Sequence, residues 1–328
     1  MKKKRILSGM RPTGKLHLGH LVGALESWVQ LQDQYDNFHL VADWHALTTG
    51  YENTTALREN TRDMVIDWLA AGIDPDQSPI FVQSHIPEHA ELHLIFSMLV
   101  TVARLERNPA VKEQARALHL EDRISYGHLG YPVLQAADIL LYKGDLVPVG
   151  EDQVPHVEIS REIARRFNKL YKTRVFPEPE ARLTQFARLP GMDGQRMSKS
   201  LGNSILMADP PDVIQQKLRR TITDPLKIRK GDPGRPDICP IFTYHAKFYP
   251  PTLQTAREGC ESGQLGCVEH KLEVTQRLVE YLEPIWDKRR YYEAHPEDVT
   301  RILDQGDRRA GDIARQTMKE VRDAMKLP

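Results

Sequence analysis

The first half of the chain alternates short apolar runs with stretches of helical period, and this alternation constrains its fold more than any other feature. RILSG, at residues 5–9, precedes LGHLVGALESWVQL, which sets Leu18, Leu21, Val22, Leu25 and Val29 on one helical stripe. FHLVADW, SPIFVQSH and DLVPVG are further strand candidates. Between them lie TTALRENTRDMVIDWLAAG, a long apolar helix over Leu92–Leu105, and YPVLQAADILLY; VPHVEISREIARRFNKL follows. In the first of these helices Leu57, Thr61, Met64, Val65, Trp68 and Leu69 share a face, and Gly72 is the stop signal. Strands alternating with helices predict an α/β fold built on a doubly wound parallel sheet. Such sheets bind ligands at the carboxyl ends of their strands.

Beyond Met207 the strand-like runs largely cease. PPDVIQQKLRRTITD, HKLEVTQRLVEYLEPIWDKRRYY, PEDVTRIL and DRRAGDIARQTMKEVRDAMK all read as helices, and the basic KIRKGDPGRPD reads as an exposed connector. The expected division is a catalytic domain over 1–206, with a helical insert near 92–130, and a helical domain over 207–328 ending in a long helix. Lys+Arg and Asp+Glu are both 45, so only a local basic face could serve a nucleic acid. Residues 92–105 are too short, and too interrupted by His93 and Arg104, to span a membrane. ILSGMRPTG behind MKKKR is no secretory core, and three cysteines make no disulfide framework, so a cytoplasmic protein is expected.

Two segments carry chemistry. In PTGKLHLGH, residues 12–20, Gly14 permits a tight turn and Gly19 leaves room at the backbone where a strand runs into a helix. Helix-start N–H groups suit phosphate, and His17 and His20 add further donors. Taken alone, one capping and one half-buried histidine would explain the motif equally well. In DGQRMSKSLGN, residues 193–203, Lys199 sits in a segment too small and polar to pack a core. A lysine on such a loop can swing onto a triphosphate, although a plain surface loop would look the same.

Together the two motifs resemble the paired signatures of class I aminoacyl-tRNA synthetases. VPVGEDQVPHVEISREIARRFN, residues 147–168, looks like the segment shared by the tryptophan and tyrosine enzymes, and GYPVLQAADILLY looks like the tryptophan version of the substrate helix. With ILSGMRPTG and VADWHALT, the resemblance to bacterial tryptophanyl-tRNA synthetases runs nearly the whole chain. It implies a Rossmann-like catalytic domain, activation of L-tryptophan with Mg-ATP, transfer to tRNA(Trp), and a homodimer formed around the Leu92–Leu105 helix. It assigns ATP to Arg11, Pro12, Thr13, His17, Gly19, His20, Gly150, Glu151, Asp152, Leu189, Arg196, Met197, Ser198, Lys199 and Ser200. Among these, Lys199, His17 and His20 carry the catalysis. It assigns tryptophan to Asp138, Leu7, Gly9, His45 and Gln153.

Asp138 stands in apolar company, where a carboxylate wants a partner. An indole N–H is one such partner; solvent or a neighbouring helix would also serve. Arg196 departs from the lysine of many relatives but keeps the charge. Cys239, Cys260, Cys267 and His270 are similar to the four cysteines with which some bacterial members bind a four-iron four-sulfur cluster, His270 taking the fourth place. Three thiolates and an imidazole could hold that cluster or zinc, and packed thiols are the alternative. Expected tRNA contacts are Arg219, Arg220, Arg229, Lys230, Arg289 and Arg290. The rivals are a tyrosyl enzyme, a non-catalytic regulatory paralogue and a nucleotidylyltransferase. YPVLQAADILLY disfavours the first, and the retained histidines and Lys199 disfavour the second. The third would require neither the Asp138 helix nor a cysteine-bearing helical domain.

Overall fold

The computed structural model describes residues 3–117, 124–150, 154–183, 189–199 and 201–328. Its centre is a five-stranded parallel sheet: β1 (Arg5–Met10), β2 (Asp36–Val41), β3 (Ile80–Val82), β4 (Leu146–Val149) and β5 (Glu180–Leu183), in the order β3-β2-β1-β4-β5. Met10 pairs with Val41 and Ile6 with Leu146, so the order reverses beside β1 and opens a crevice between the ends of β1 and β4. β1 to β4 form where apolar runs predicted them. β5 was not anticipated: its EARL sequence is charged and largely solvent-facing, as an edge strand can be.

The helical stripe after β1 is buried at Leu18, Leu21, Val22 and Leu25. Its ladder is not uniform, since Leu21–Leu25 is a π-helical turn between Leu18–His20 and Glu26–Leu31. The helix Leu57–Ala71 ends at Gly72, whose φ of 111° is the left-handed conformation expected of that stop. The apolar stretch 92–105 is not one helix. Glu88–Ser97 ends before Thr101, whose hydroxyl accepts the Arg104 N–H and starts Val102–Glu106.

In the C-terminal third, HKLEVTQRLVEYLEPIWDKRRYY lies within one helix as expected, Cys267–Ala294, continuous through Pro284. The last two expected helices, by contrast, are a single helix, Pro296–Met325. That final helix lies on the sheet, burying Ala310, Ala314, Met318 and Val321 in one core with Phe81, Leu140 and Ile163. Gly306 marks the crossing: a Cβ there would stand 1.8 Å from the Ile80 carbonyl oxygen. Beside it, Asp307 accepts the Val82 N–H at 2.9 Å, occupying a donor on the sheet's β3 edge. Among the described residues, no helix is long and apolar enough to cross a membrane.

Candidate active site

The chain leaves β1 at Met10 and turns through Gly14, where φ is 108°. It enters the helix at His17, the residue before Leu18–His20. The two imidazoles stack with centroids 3.8 Å apart, and His20 Nδ1 accepts the His17 backbone N–H at 3.3 Å. A Cβ on Gly19 would meet the His17 ring at 3.0 Å, so this glycine makes room for that imidazole. Burial drives both histidines down, with the charges of Lys199 and Arg196 adding to it: His17 to about 4 and His20 to about 3. Both are therefore neutral at pH 7, able to donate to phosphate oxygens without competing as fixed cations.

Lys199 reaches this junction from the other side. Its Nζ donates to the Thr13 carbonyl at 2.8 Å and stands 3.3 Å from where a Gly14 Cβ would be. Burial lowers its ammonium, while the Asp67 charge pulls the other way. The loop is held by Asn203, which sequence reasoning did not single out. Its Oδ1 accepts the Ser198 N–H at 2.8 Å, and its Nδ2 donates to Asp193 at 2.8 Å and to the Arg196 carbonyl at 3.1 Å. Met197 and Leu189 are buried, whereas Arg196, Arg11 and Thr13 face solvent. Pro12 is buried and Gly150 follows the end of β4. Glu151, Asp152, Gln153 and Ser200 lie outside the described residues.

A second cluster surrounds Asp138, which is 3% exposed on the helix Tyr131–Leu141. His45 Nε2 donates to one carboxylate oxygen at 2.9 Å; Gln83 Nε2 and His89 Nδ1 each donate to the other at 2.7 Å. An ionised carboxylate only accepts, so both imidazoles present N–H to it, and His89 Nε2 lies within hydrogen-bond distance of the Tyr142 hydroxyl at 2.7 Å. Burial pushes the carboxyl up, but the bonds and charges of His45 and His89 outweigh it and hold Asp138 at about 2. Leu7 shares a core with Ala137 and Leu141. Gly9 is required by the sheet, since a Cβ there would stand 2.7 Å from the Leu40 carbonyl oxygen. Gln83 and His89 were not legible because QSHIPEH names no partner; Asp138 is 49 or more residues away.

Cys239, Cys260, Cys267 and His270 line one small cavity with Lys227, Arg235 and Asp224. Burial raises the Cys239 and Cys260 thiols, the charge of Cys267 adding to the effect on both, while Lys227 draws Cys260 down. His270 Nε2 lies 2.7 Å from His245 Nδ1. Among the described residues no three His, Cys, Asp or Glu side chains are arranged to hold a metal ion. The supposed connector is only partly exposed, because Lys227 is buried with its ammonium against the Asp232 carbonyl. Arg219, Arg220, Arg229, Lys230 and Arg290 are exposed. Arg289 is not: it is 5% exposed and paired with Asp67, which removes it from the expected tRNA contacts.

The lysine loop meets the histidine pair where the parallel sheet reverses its order, the place at which doubly wound α/β folds bind their ligands. Residues 1–283 match tRNA synthetases class I (W and Y), and the chain belongs to that family. It is 52% identical to the tryptophan–tRNA ligase of Thermotoga maritima, over 98% of this chain and 99% of that one. It is 43% identical to that of Aquifex aeolicus, over 99% of this chain and 100% of that one. In structure it resembles a Campylobacter jejuni tryptophanyl-tRNA synthetase solved with ADP and tryptophan: TM-score 0.89, 31% identity, 98% of this chain and 100% of that one covered.

Proposed function

We propose that the protein activates L-tryptophan with Mg-ATP and passes it to tRNA(Trp); its activity is that of a tryptophan–tRNA ligase. A tryptophan carboxylate oxygen attacks the α-phosphorus of ATP, and the bond to pyrophosphate breaks. A terminal ribose hydroxyl of the tRNA then attacks the carbonyl carbon, and AMP leaves. The substrate carboxylate is itself the nucleophile, so the protein contributes positioning and charge. In this reading neutral His17 and His20 donate to the phosphates. Lys199 leaves the Thr13 carbonyl to neutralise charge building on the departing pyrophosphate, with Arg196, Met197, Ser198 and Ser200 around it.

The observation that carries the choice of amino acid is the ionised, buried Asp138. Three N–H donors occupy it, and a carboxylate has about four acceptor positions, which leaves one for an indole N–H. Leu7, Gly9, His45 and Gln153 complete the proposed pocket. Tyrosine would bring a hydroxyl that can donate to Asp138 but also needs a donor of its own, and phenylalanine would bring no donor at all. Sites built to bond one polar group reject analogues lacking it by roughly ten-thousandfold. Charging of tRNA(Trp) transcript with tryptophan, and not with tyrosine, tests the assignment; charging with tyrosine contradicts it.

Three further parts belong to the same proposal. Residues 1–206 form the catalytic domain, and exposed Arg219, Arg220, Arg229 and Lys230 in 207–328 face the tRNA. Leu94, Met98, Val102 and Tyr126 stay 59–70% exposed, an apolar set suited to a homodimer in the cytoplasm and testable by sedimentation. The cavity of three thiols and an imidazole has the donor chemistry of a four-iron four-sulfur site, with Lys227 beside it to offset negative charge and Arg235 paired to Asp224. Iron with acid-labile sulfide after anaerobic purification supports a cluster. Zinc alone redirects the site to a tetrahedral ion, and the absence of all three contradicts a metal centre.

A further inference from the structure

The segment after the lysine loop returns along the histidine junction. The Leu18 N–H donates to the Ile205 carbonyl and the Met207 N–H to the Leu16 carbonyl, both at 2.9 Å, and His17 bridges Leu206 between them. The histidine segment and the run that directly follows the lysine loop are therefore paired through backbone bonds on either side of His17.

One helix from the C-terminal third grips both members of that pair. Trp286 Nε1 donates to the Met207 carbonyl at 2.7 Å. Arg289, one turn on, pairs with Asp67, whose other oxygen accepts the Leu16 N–H at 3.2 Å. Arg289 is itself held by Glu293 at 2.9 Å and Asp63 at 3.4 Å. Asp67 and Arg289 are 1% and 5% exposed, so this pairing is shielded from solvent screening. Higher on the same helix, the Tyr281 hydroxyl donates to Glu26, on the helix that continues from His20, at 2.6 Å. The Asp67 charge also acts on Lys199, pulling its ammonium up.

We propose that Trp286 and Arg289 are positioning residues, through which the helix Cys267–Ala294 sets the spacing between the His17–His20 junction and the lysine loop and hence the geometry of the ATP site. Neither touches ATP in this account. Trp286 acts through Met207, and Arg289 through Asp67 and Leu16. The inference rests on the ATP-dependent activity proposed above and adds that the ATP site is completed from a helix more than 60 residues beyond Lys199 in sequence.

Trp286→Phe tests it while keeping an aromatic ring in place. A second variant, Asp67→Asn with Arg289→Met, removes the buried charges together and leaves an acceptor for Leu16. In tryptophan-dependent ATP–pyrophosphate exchange, the KM for ATP is expected to rise about fivefold or more in each, the scale of one lost buried hydrogen bond. The tryptophan Kd, measured by equilibrium dialysis, is expected to stay within about twofold. Variants that melt earlier but keep the parent's KM for ATP would show a merely structural tie and overturn the proposal, as would equal losses for both substrates. Failure of the parent protein to catalyse exchange would instead refute the activity reading.

Discussion

Asp138→Asn is the substitution whose outcome the geometry specifies most closely. The amide oxygen can still accept from Gln83 and His89, which share one carboxylate oxygen at 2.7 Å each. The NH2 group then faces His45 Nε2, which donates to the other oxygen at 2.9 Å in the parent. Two donors meet, so His45 must change tautomer or lose its partner. An unsatisfied buried donor costs about 1–3 kcal/mol, enough to lower the melting temperature measurably. The same NH2 removes the proposed acceptor for indole. A hydrogen bond to a charged group contributes about 1.5–3 kcal/mol, which predicts a roughly ten- to hundredfold higher KM for tryptophan. The KM for ATP should hold, because none of the Asp138 partners lies on the histidine or lysine loops. The assay is ATP–pyrophosphate exchange with each substrate varied in turn, on protein shown to be folded. A variant with the parent's KM for tryptophan would refute the role of Asp138, whatever its stability.

Lys199→Ala should lower the exchange rate by about 10²–10³ while leaving tryptophan affinity intact, as removal of one preorganised electrostatic group does; a near-parental rate would remove Lys199 from the chemistry. His39→Phe should reduce acid sensitivity. Burial holds His39 neutral down to about 3, between Trp28 and Trp68, with neither ring nitrogen bonded among the described residues. Below the unfolded value of 6.5 the unfolded chain binds the extra proton, so stability falls as pH drops from there toward 3. At about pH 5.5 this histidine's share is about 1.4 kcal/mol, and melts at neutral and mildly acid pH should show a smaller difference in the Phe variant. Gly306→Ala should destabilise by about 1–3 kcal/mol or more, because its Cβ cannot fit beside the Ile80 carbonyl; an unchanged denaturation midpoint would contradict the close crossing.

The sequence announced what local periodicity and steric need can encode. β1 to β4 are apolar runs, Gly14 and Gly72 sit where positive φ is required, and the two motif segments meet as their pairing implied. Long-range partners left no such trace. Arg289 read as one more basic residue in DKRRYY, because Asp67 lies 222 positions away. Asn203 was visible at the end of the lysine motif, but its five-residue reach back to Ser198 belongs to a loop with no period. The gap between PEDVTRIL and DRRAGDIARQTMKEVRDAMK contains Gly306, a residue ordinarily costly inside a helix, yet Pro296–Met325 runs through it. Its place against β3 explains why this helix tolerates it. The helix break near Thr101 was legible in principle, since a threonine before VARLE is an N-cap signal, but the apolar run masked it.

The central claim is that this chain activates tryptophan with ATP. Amino-acid-dependent ATP–pyrophosphate exchange on the purified parent protein, with tryptophan and tyrosine compared at equal concentration, tests it most directly. The account predicts exchange with tryptophan and none above background with tyrosine. Exchange driven by tyrosine, or by neither amino acid, would contradict it.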